Sequence, residues 1–93
     1  MGERTIYSPR QDIVAATVES IRHKIRSEIA ASGGDFVLDL QGVEMIDSKG
    51  IGLIIATYNS LTKTGRKLIL SEVIPDIVQL LRTMRLDRHF SIE

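Results

Sequence analysis

Three stretches of the chain carry apolar side chains at helical spacing. In the first, apolar residues recur at steps of three and four, at Val14, Val18, Ile21, Ile25 and Ile29. Thr17 is of a type that caps helices, and the run Ser32-Gly33-Gly34 is typical of a helix end. We therefore predict a first helix between Thr17 and Ser32.

Two later stretches have the same spacing. After Asp47-Ser48 the apolar positions are Ile51, Ile54, Ile55, Tyr58 and Leu61. This second helix is expected to end near Thr64-Gly65. A third begins at Pro75, which suits a first helical turn, and continues through Ile77, Leu80, Leu81 and Met84.

Short β-prone runs separate the helices, at residues 5–7, 35–40, 67–73 and 90–92. The run 35–40 is mostly apolar, which is typical of a strand buried on both faces, so we place it at the centre of a sheet. Strands that alternate with helices form βαβ units. The pattern predicts one α/β domain over residues 1–93, with about three helices on a sheet whose central strands are parallel.

Composition excludes several classes of function. The chain has 93 residues, 12 basic and 12 acidic, so it carries no net charge that would attract nucleic acid or an anionic membrane. It contains no cysteine, hence no disulfide and no thiol nucleophile. No apolar run reaches the roughly 20 residues that cross a bilayer, and no secretory leader begins the chain. We expect a cytoplasmic protein that does not insert into membranes.

Candidate chemistry centres on Asp47-Ser48, where a helix begins just after the central strand. A helix N-terminus carries about half a positive charge and attracts anions. One interpretation is that Asp47 or Ser48 simply caps the helix. The other is that Ser48 is phosphorylated, because a phosphate at this position lies close to free amides and changes the sign of the surface.

Gly50 and Gly52 are unusual in a first helical turn, since each costs about 1 kcal/mol relative to alanine. Either a partner approaches the backbone there, or the helix start packs tightly on neighbouring strands. The spacing matches no nucleotide-binding glycine loop.

Other polar residues form no catalytic constellation. Asp35, Asp39, Glu44 and Asp47 are expected to gather around one strand end, where carboxylates could bind magnesium or act as acid and base. No nucleophile accompanies them, and we expect no metal, no cofactor and no enzymatic activity. Arginines recur every three residues, at Arg82, Arg85 and Arg88. This spacing predicts a basic edge, which is either a solvated surface or the rim of a docking site.

Several segments resemble the STAS domain family, the anti-sigma factor antagonists of bacteria. Residues 36–40, followed by 43–52, are similar to that family's apolar strand and Asp-Ser-Ser/Thr-Gly-Leu-Gly motif. Asp12-Ile13 resembles the start of the family's first helix, and residues 85–90 resemble its C-terminal segment. The resemblance implies a STAS-like mixed sheet, shortened at its N-terminal strands.

The resemblance also implies a function. Ser48 falls on the family's phosphoacceptor, and Asp47 supports it. The implied partners are an anti-sigma factor that is a serine kinase of the GHKL ATPase type and a PPM-type phosphatase. The kinase is bound while Ser48 is unphosphorylated, which frees a sigma factor. The expected docking residues are Asp47, Ser48, Lys49, Gly50, Ile51, Gly52, Ile55 and Tyr58.

The chain departs from the family pattern at three places. Lys49 stands where a small hydroxyl residue is common, and Val14 where aspartate is common. Only one short strand precedes the first helix, so an open sheet edge could pair with a second copy to form a homodimer. An alternative function is that of an unphosphorylated STAS subunit in a lipid-transport ABC complex or a signalling scaffold.

Overall fold

The computed structural model describes residues 4–93. Strands and helices alternate along these residues, as the apolar pattern predicts. Their order is β1 (Thr5–Tyr7), α1 (Val18–Ala30), β2 (Phe36–Asp39), α2 (Ser48–Thr62), β3 (Leu68–Ser71), α3 (Pro75–Thr83), a 3₁₀ turn (Leu86–Arg88) and β4 (Ser91–Ile92).

The four strands lie in the sheet in the order of the chain, β1-β2-β3-β4, and β2 is central as predicted. The central strands are parallel, with Phe36 opposite Leu68. We predicted a mixed sheet, but both edge pairs are parallel as well. The reason is that each consecutive pair of described strands is joined by a crossover containing a helix, which returns the chain in the same direction.

The core lies on one face of this sheet. Phe36 and Leu38 from β2 and Leu68 and Leu70 from β3 belong to one buried cluster, together with apolar side chains of the helices. Val37 alternates with its neighbours and points to the opposite face, yet it is only 5% exposed. The prediction that this strand is buried on both faces is therefore confirmed.

The first helix begins at Val18, so Val14 precedes it. Thr17 occupies the N-cap position but makes no side-chain capping bond. Instead its Oγ1 accepts from the Val14 amide at 3.1 Å and donates to the Asp12 carbonyl at 2.6 Å. Thr17 stabilises the turn before the helix, and the predicted capping bond is absent.

One edge of the sheet is formed by β1, which pairs only with β2 among the described residues. Ile6 on this strand is 63% exposed. The open edge that we predicted is therefore present in the described part of the chain. Pairing of two copies along it stays a prediction.

Arg66, just before β3, binds the end of α1 and the loop before β2, which lie 32–37 residues earlier in the chain. Its Nε donates to the Gly34 carbonyl at 2.6 Å and its Nη1 to the Ile29 carbonyl at 3.1 Å. Its Nη2 donates to Ser32 Oγ at 2.9 Å. The guanidinium thus supplies donors to the Ile29 carbonyl at the end of α1 and to the Gly34 carbonyl in the loop before β2.

We expect Arg66→Met to lower the free energy of unfolding by about 1–3 kcal/mol, because it removes the side-chain donor to the part-buried Gly34 carbonyl and one of the donors to the Ile29 carbonyl. Arg66→Lys should recover only part of this loss, since an ammonium group cannot reproduce the planar fork. Urea denaturation measures both values. Arg26→Met, on the exposed side of α1, is the control and should change stability by less than about 0.5 kcal/mol. Equal losses at the two arginines would contradict this role.

Candidate functional site

The start of α2 is capped by Asp47. Its Oδ1 accepts from the Gly50 amide at 2.9 Å, which satisfies one of the free amides of the first turn. Of the two capping residues that the sequence allows, the structure selects Asp47. Ser48 is the first helical residue and is exposed. Within residues 4–93 its hydroxyl makes no hydrogen bond, so it is free to react.

Asp47 also binds a second segment. Its Oδ2 accepts from the Ala15 amide at 2.9 Å. In the opposite direction, Asp12 Oδ1 accepts from the amides of Glu44 at 2.8 Å and Met45 at 3.1 Å. Each segment therefore supplies one carboxylate to the amides of the other. We call this pair, Asp12 and Asp47, the carboxylate clamp.

Main-chain bonds reinforce the clamp. The Ile13 amide donates to the Met45 carbonyl at 3.1 Å, and the Asp47 amide donates to the Ile13 carbonyl at 3.3 Å. Ile13 and Ile46 consequently form an isolated parallel bridge, and both side chains are buried. The loop that follows β1 is thus fixed against the start of α2, beside Ser48.

The two glycines of the first turn have different roles. A Cβ on Gly50 would overlap the carbonyl oxygen of Ile13 and come within 2.7 Å of Ile46 Cγ2. A Cβ on Gly52 would have nothing within 4 Å. For Gly50 the tight-packing interpretation is therefore correct. Gly52 is exposed and leaves an open surface one helical turn after Ser48.

The environment of Asp47 favours its charged form. The hydrogen bond from the Gly50 amide, followed by the one from the Ala15 amide, lowers the pKa of this carboxyl below its ordinary value. Burial acts in the opposite direction and is outweighed. A fixed negative charge therefore lies next to the Ser48 hydroxyl at neutral pH.

The predicted docking residues fall into three groups. Ser48, Lys49 and Gly52 are exposed, and Asp47 and Ile55 are partly exposed. Gly50 and Ile51 are buried and have no exposed side chain to offer.

Tyr58 lies almost three helical turns beyond Ser48, about 15 Å along the axis. Its ring packs against His89 and Phe90, with centroid distances of 5.5 and 5.9 Å. The structure therefore does not place Tyr58 beside Ser48. The surface formed by Asp47, Ser48, Lys49, Gly52 and Ile55 is called the Ser48 face below.

The acidic residues do not gather as we expected. Asp35 and Asp39 lie at opposite ends of β2, because the strand spans the residues between them. Asp35 accepts from the Lys67 amide at 3.0 Å, and Asp39 accepts from Ser8 Oγ at 2.7 Å. Within residues 4–93 no three His, Asp or Glu side chains are close enough to hold a metal ion.

Two residues near Ser48 were not assigned a site role from the sequence. Asp12 was interpreted only as part of the start of the first helix, and its acceptor role across the fold depends on a partner 32 residues away. Met45 precedes the cap and is 59% exposed, so it offers apolar contact area close to Ser48. The sequence signal that could have assigned Met45 to the site is its position directly before Ile46-Asp47.

Comparison with known proteins identifies the fold and the family. The family model described as STAS domain matches residues 2–93. The structure is similar to a candidate anti-sigma factor antagonist from Thermotoga maritima, with 23% identity and a TM-score of 0.87, covering 96% of this chain and 77% of that one. It is also similar to the anti-sigma factor antagonist SpoIIAA in its unphosphorylated form, with 19% identity and a TM-score of 0.75, covering all of this chain and 81% of that one. At these identities the two structures establish the fold.

No helix in residues 4–93 is both long enough and apolar enough to span a bilayer.

Substitution of the two glycines should separate their roles. Gly50→Ala should lower the free energy of unfolding by several kcal/mol, since the new methyl group forces Ile13 away from α2 and disrupts the clamp. Gly52→Ala should raise it by about 0.5–1 kcal/mol, because alanine favours the helix. Thermal or urea denaturation of both variants is the measurement. Similar effects at the two positions would refute the close approach at Gly50.

The lowered pKa of Asp47 predicts a pH dependence. A carboxylate with a lower pKa in the folded state stabilises fully above its unfolded value of about 3.9 and loses this effect as pH falls through the folded value. Asp47→Asn should therefore be less stable than the original protein at pH 7, because one of the two oxygens that accept from Gly50 and Ala15 becomes an amide nitrogen, which cannot accept. The difference should shrink as pH falls below about 4. Urea titrations between pH 2.5 and 7 measure it, and a constant difference would disprove the prediction.

Proposed function

The chain belongs to the STAS domain family, and from this membership we propose that it is an anti-sigma factor antagonist, a binding module gated by phosphorylation of Ser48. The observation that carries the proposal is that different residues provide the helix cap and the exposed hydroxyl at the start of α2. Asp47 supplies the cap, so the exposed Ser48 hydroxyl is not needed for the fold. A kinase can therefore modify Ser48 without removing a structural hydrogen bond.

The fold tolerates a phosphate at this position. The modification adds a charge of about −1.5 to −2 at neutral pH. At the first residue of α2 this charge lies at the positive end of the helix dipole. Lys49 is exposed next to it and supplies a countercharge, while the Asp47 carboxylate repels it. The helix start persists, and the principal effect is a change in the sign of the surface.

The unphosphorylated Ser48 face suits a closely packed partner. Gly52 follows Ser48 by one turn and has no side chain, and Ile55 follows by two turns and is partly exposed. A partner surface can approach the helix backbone there and contact apolar atoms. A phosphate in the middle of such an interface would be desolvated without a matching donor, which weakens binding.

The proposed partners are a serine kinase anti-sigma factor with a GHKL-type ATPase fold and a PPM-type phosphatase that restores Ser48. SpoIIAA, which shares the fold, is described in an unphosphorylated form. In this scheme the protein is cytoplasmic and has no catalytic role of its own. Binding of the unphosphorylated form to the kinase frees the sigma factor.

The test combines phosphorylation with binding. Incubation with ATP and the serine kinase encoded beside the gene should place one phosphate on Ser48, detected by mass spectrometry, and Ser48→Ala should abolish it. Ser48→Asp should weaken kinase binding at least about tenfold, which corresponds to about 1.4 kcal/mol. Calorimetry measures this change.

Ser60→Asp is the matched control, since Ser60 is exposed on the same helix about 18 Å further along the axis. It should leave the affinity within about twofold. No phosphate on Ser48, together with normal binding by Ser48→Asp, would reject the proposal. Co-purification with a transporter ATPase would then favour the alternative of an unphosphorylated subunit in a lipid-transport complex.

A further inference from the structure

A second concave surface lies away from Ser48. It is a cleft of about 630 Å³ between the C-terminal half of α2, the amino end of β3 and the segment that leads into β4. Ser48 lies at the carboxyl end of the sheet, where the loops after β1 and β2 meet. The cleft therefore opens at the other end of α2. Its volume is within the range of about 300–1,000 Å³ that small-molecule sites occupy.

Three of the residues that line the cleft are aromatic, namely Tyr58, His89 and Phe90. The Tyr58 ring is tilted against His89 at 5.5 Å and against Phe90 at 5.9 Å, measured between ring centroids. The chain has only four Phe and Tyr residues, and two of them meet here. Phe90 is 6% exposed and anchors the group, while Tyr58 is partly exposed. The cleft can thus contact a flat apolar group.

The lining of the cleft also carries basic side chains. Lys67, Arg82 and Arg88 line it and are exposed, and within residues 4–93 none of them forms a salt bridge. Arg66 also lines the cleft, but its donors are used by carbonyls and by Ser32. Asp87 is the one carboxylate in the lining. Because the chain has no net charge, this excess of cations is a local concentration.

The three arginines that recur in the sequence, Arg82, Arg85 and Arg88, do not share one surface. Arg82 and Arg88 line the cleft, whereas Arg85 does not. Arg85 has a positive φ of 59° and marks the turn between α3 and the 3₁₀ segment. That turn carries Arg88 and His89 to the cleft, and it leaves Arg85 as an exposed arginine outside the lining.

We propose that this cleft binds a small organic anion, in which a flat apolar group packs against Tyr58 and a phosphate or carboxylate is bound by Arg82 and Arg88. Guanidinium groups match both oxyanions with paired hydrogen bonds. The aromatic side chains supply contact area for the remainder of the ligand. The site is separate from the Ser48 face and does not depend on phosphorylation.

The test uses simple probes and the full 93-residue protein. Phenyl phosphate and benzoate carry a ring and an oxyanion, whereas inorganic phosphate lacks the ring and benzyl alcohol lacks the charge. An NMR titration of backbone amides should show saturable shifts centred on Leu68, His89 and Phe90 for at least one of the first two probes. The tighter of these identifies the preferred oxyanion. Inorganic phosphate and benzyl alcohol should each bind at least about tenfold more weakly.

Charge variants complete the experiment. Arg82→Gln combined with Arg88→Gln should weaken the ring-bearing anion at least about tenfold. The matched control combines Arg26→Gln with Arg85→Gln, which removes the same charge from exposed arginines outside the cleft, and should change the affinity by less than about twofold. Equal weakening in the two double variants, equal binding of inorganic phosphate, shifts centred on Ser48, or no saturable binding of either ring-bearing anion would overturn the proposal.

Discussion

The contact between the Ile13 main chain and the start of α2 is the constraint on which the Ser48 end of the molecule depends. It exists because position 50 has no side chain and because the carboxylate clamp supplies acceptors for amides on both segments. Hydrogen bonds to ionised acceptors are roughly twice as strong as those between neutral groups. Two carboxylates therefore bind four amides, three in irregular backbone and one in the first turn of α2, those of Ala15, Glu44, Met45 and Gly50. The orientation of α2, and with it the exposure of Ser48, follows from this arrangement.

The same helix carries two different surfaces. Its 15 residues extend about 22 Å. Ser48 is at the start of the helix, on the Ser48 face. Tyr58 is near the other end, among aromatic and basic groups. The buried side of α2 joins both ends to the sheet through Leu53, Ile54 and Leu61. This continuous packing makes the helix a rigid support, so each surface has a fixed position in the fold.

Much of this architecture can be predicted from local patterns in the sequence. The helical spacing, Pro75 and the short apolar runs locate all the described helices and strands to within a few residues. The start of α1 at Val18 agrees with the predicted cap at Thr17, while Val14 of the same apolar stripe lies in the turn that the hydrogen bonds of Thr17 form from residues 12–17. Parallel pairing at the sheet edges is a property of the connections, which local patterns do not contain.

The site was predictable to a smaller extent. The position of Ser48 at a helix start follows from local sequence, but the partners of Asp12 and Asp47 lie 32 residues away. The two glycines could have been distinguished by helical phase, since Gly50 precedes the buried Leu53 and Ile54 by three and four residues and Gly52 does not share that face. Tyr58 shows the limit of the same reasoning. A position in an apolar stripe indicates the side of a helix, but the aromatic neighbours of Tyr58, His89 and Phe90, come from the segment just before β4.

The clamp also has a consequence for the order of events during folding. It joins segments separated by 32 residues, so its bonds require β1, α1 and β2 to be folded against one another. Closure of such a loop has an entropic cost, and contacts of this kind are made late compared with those inside a helix. A nascent or partly unfolded chain then carries Ser48 in an unstructured segment with no glycine-lined face beside it. A partner that requires this face would bind folded copies of the protein and not unfolded ones.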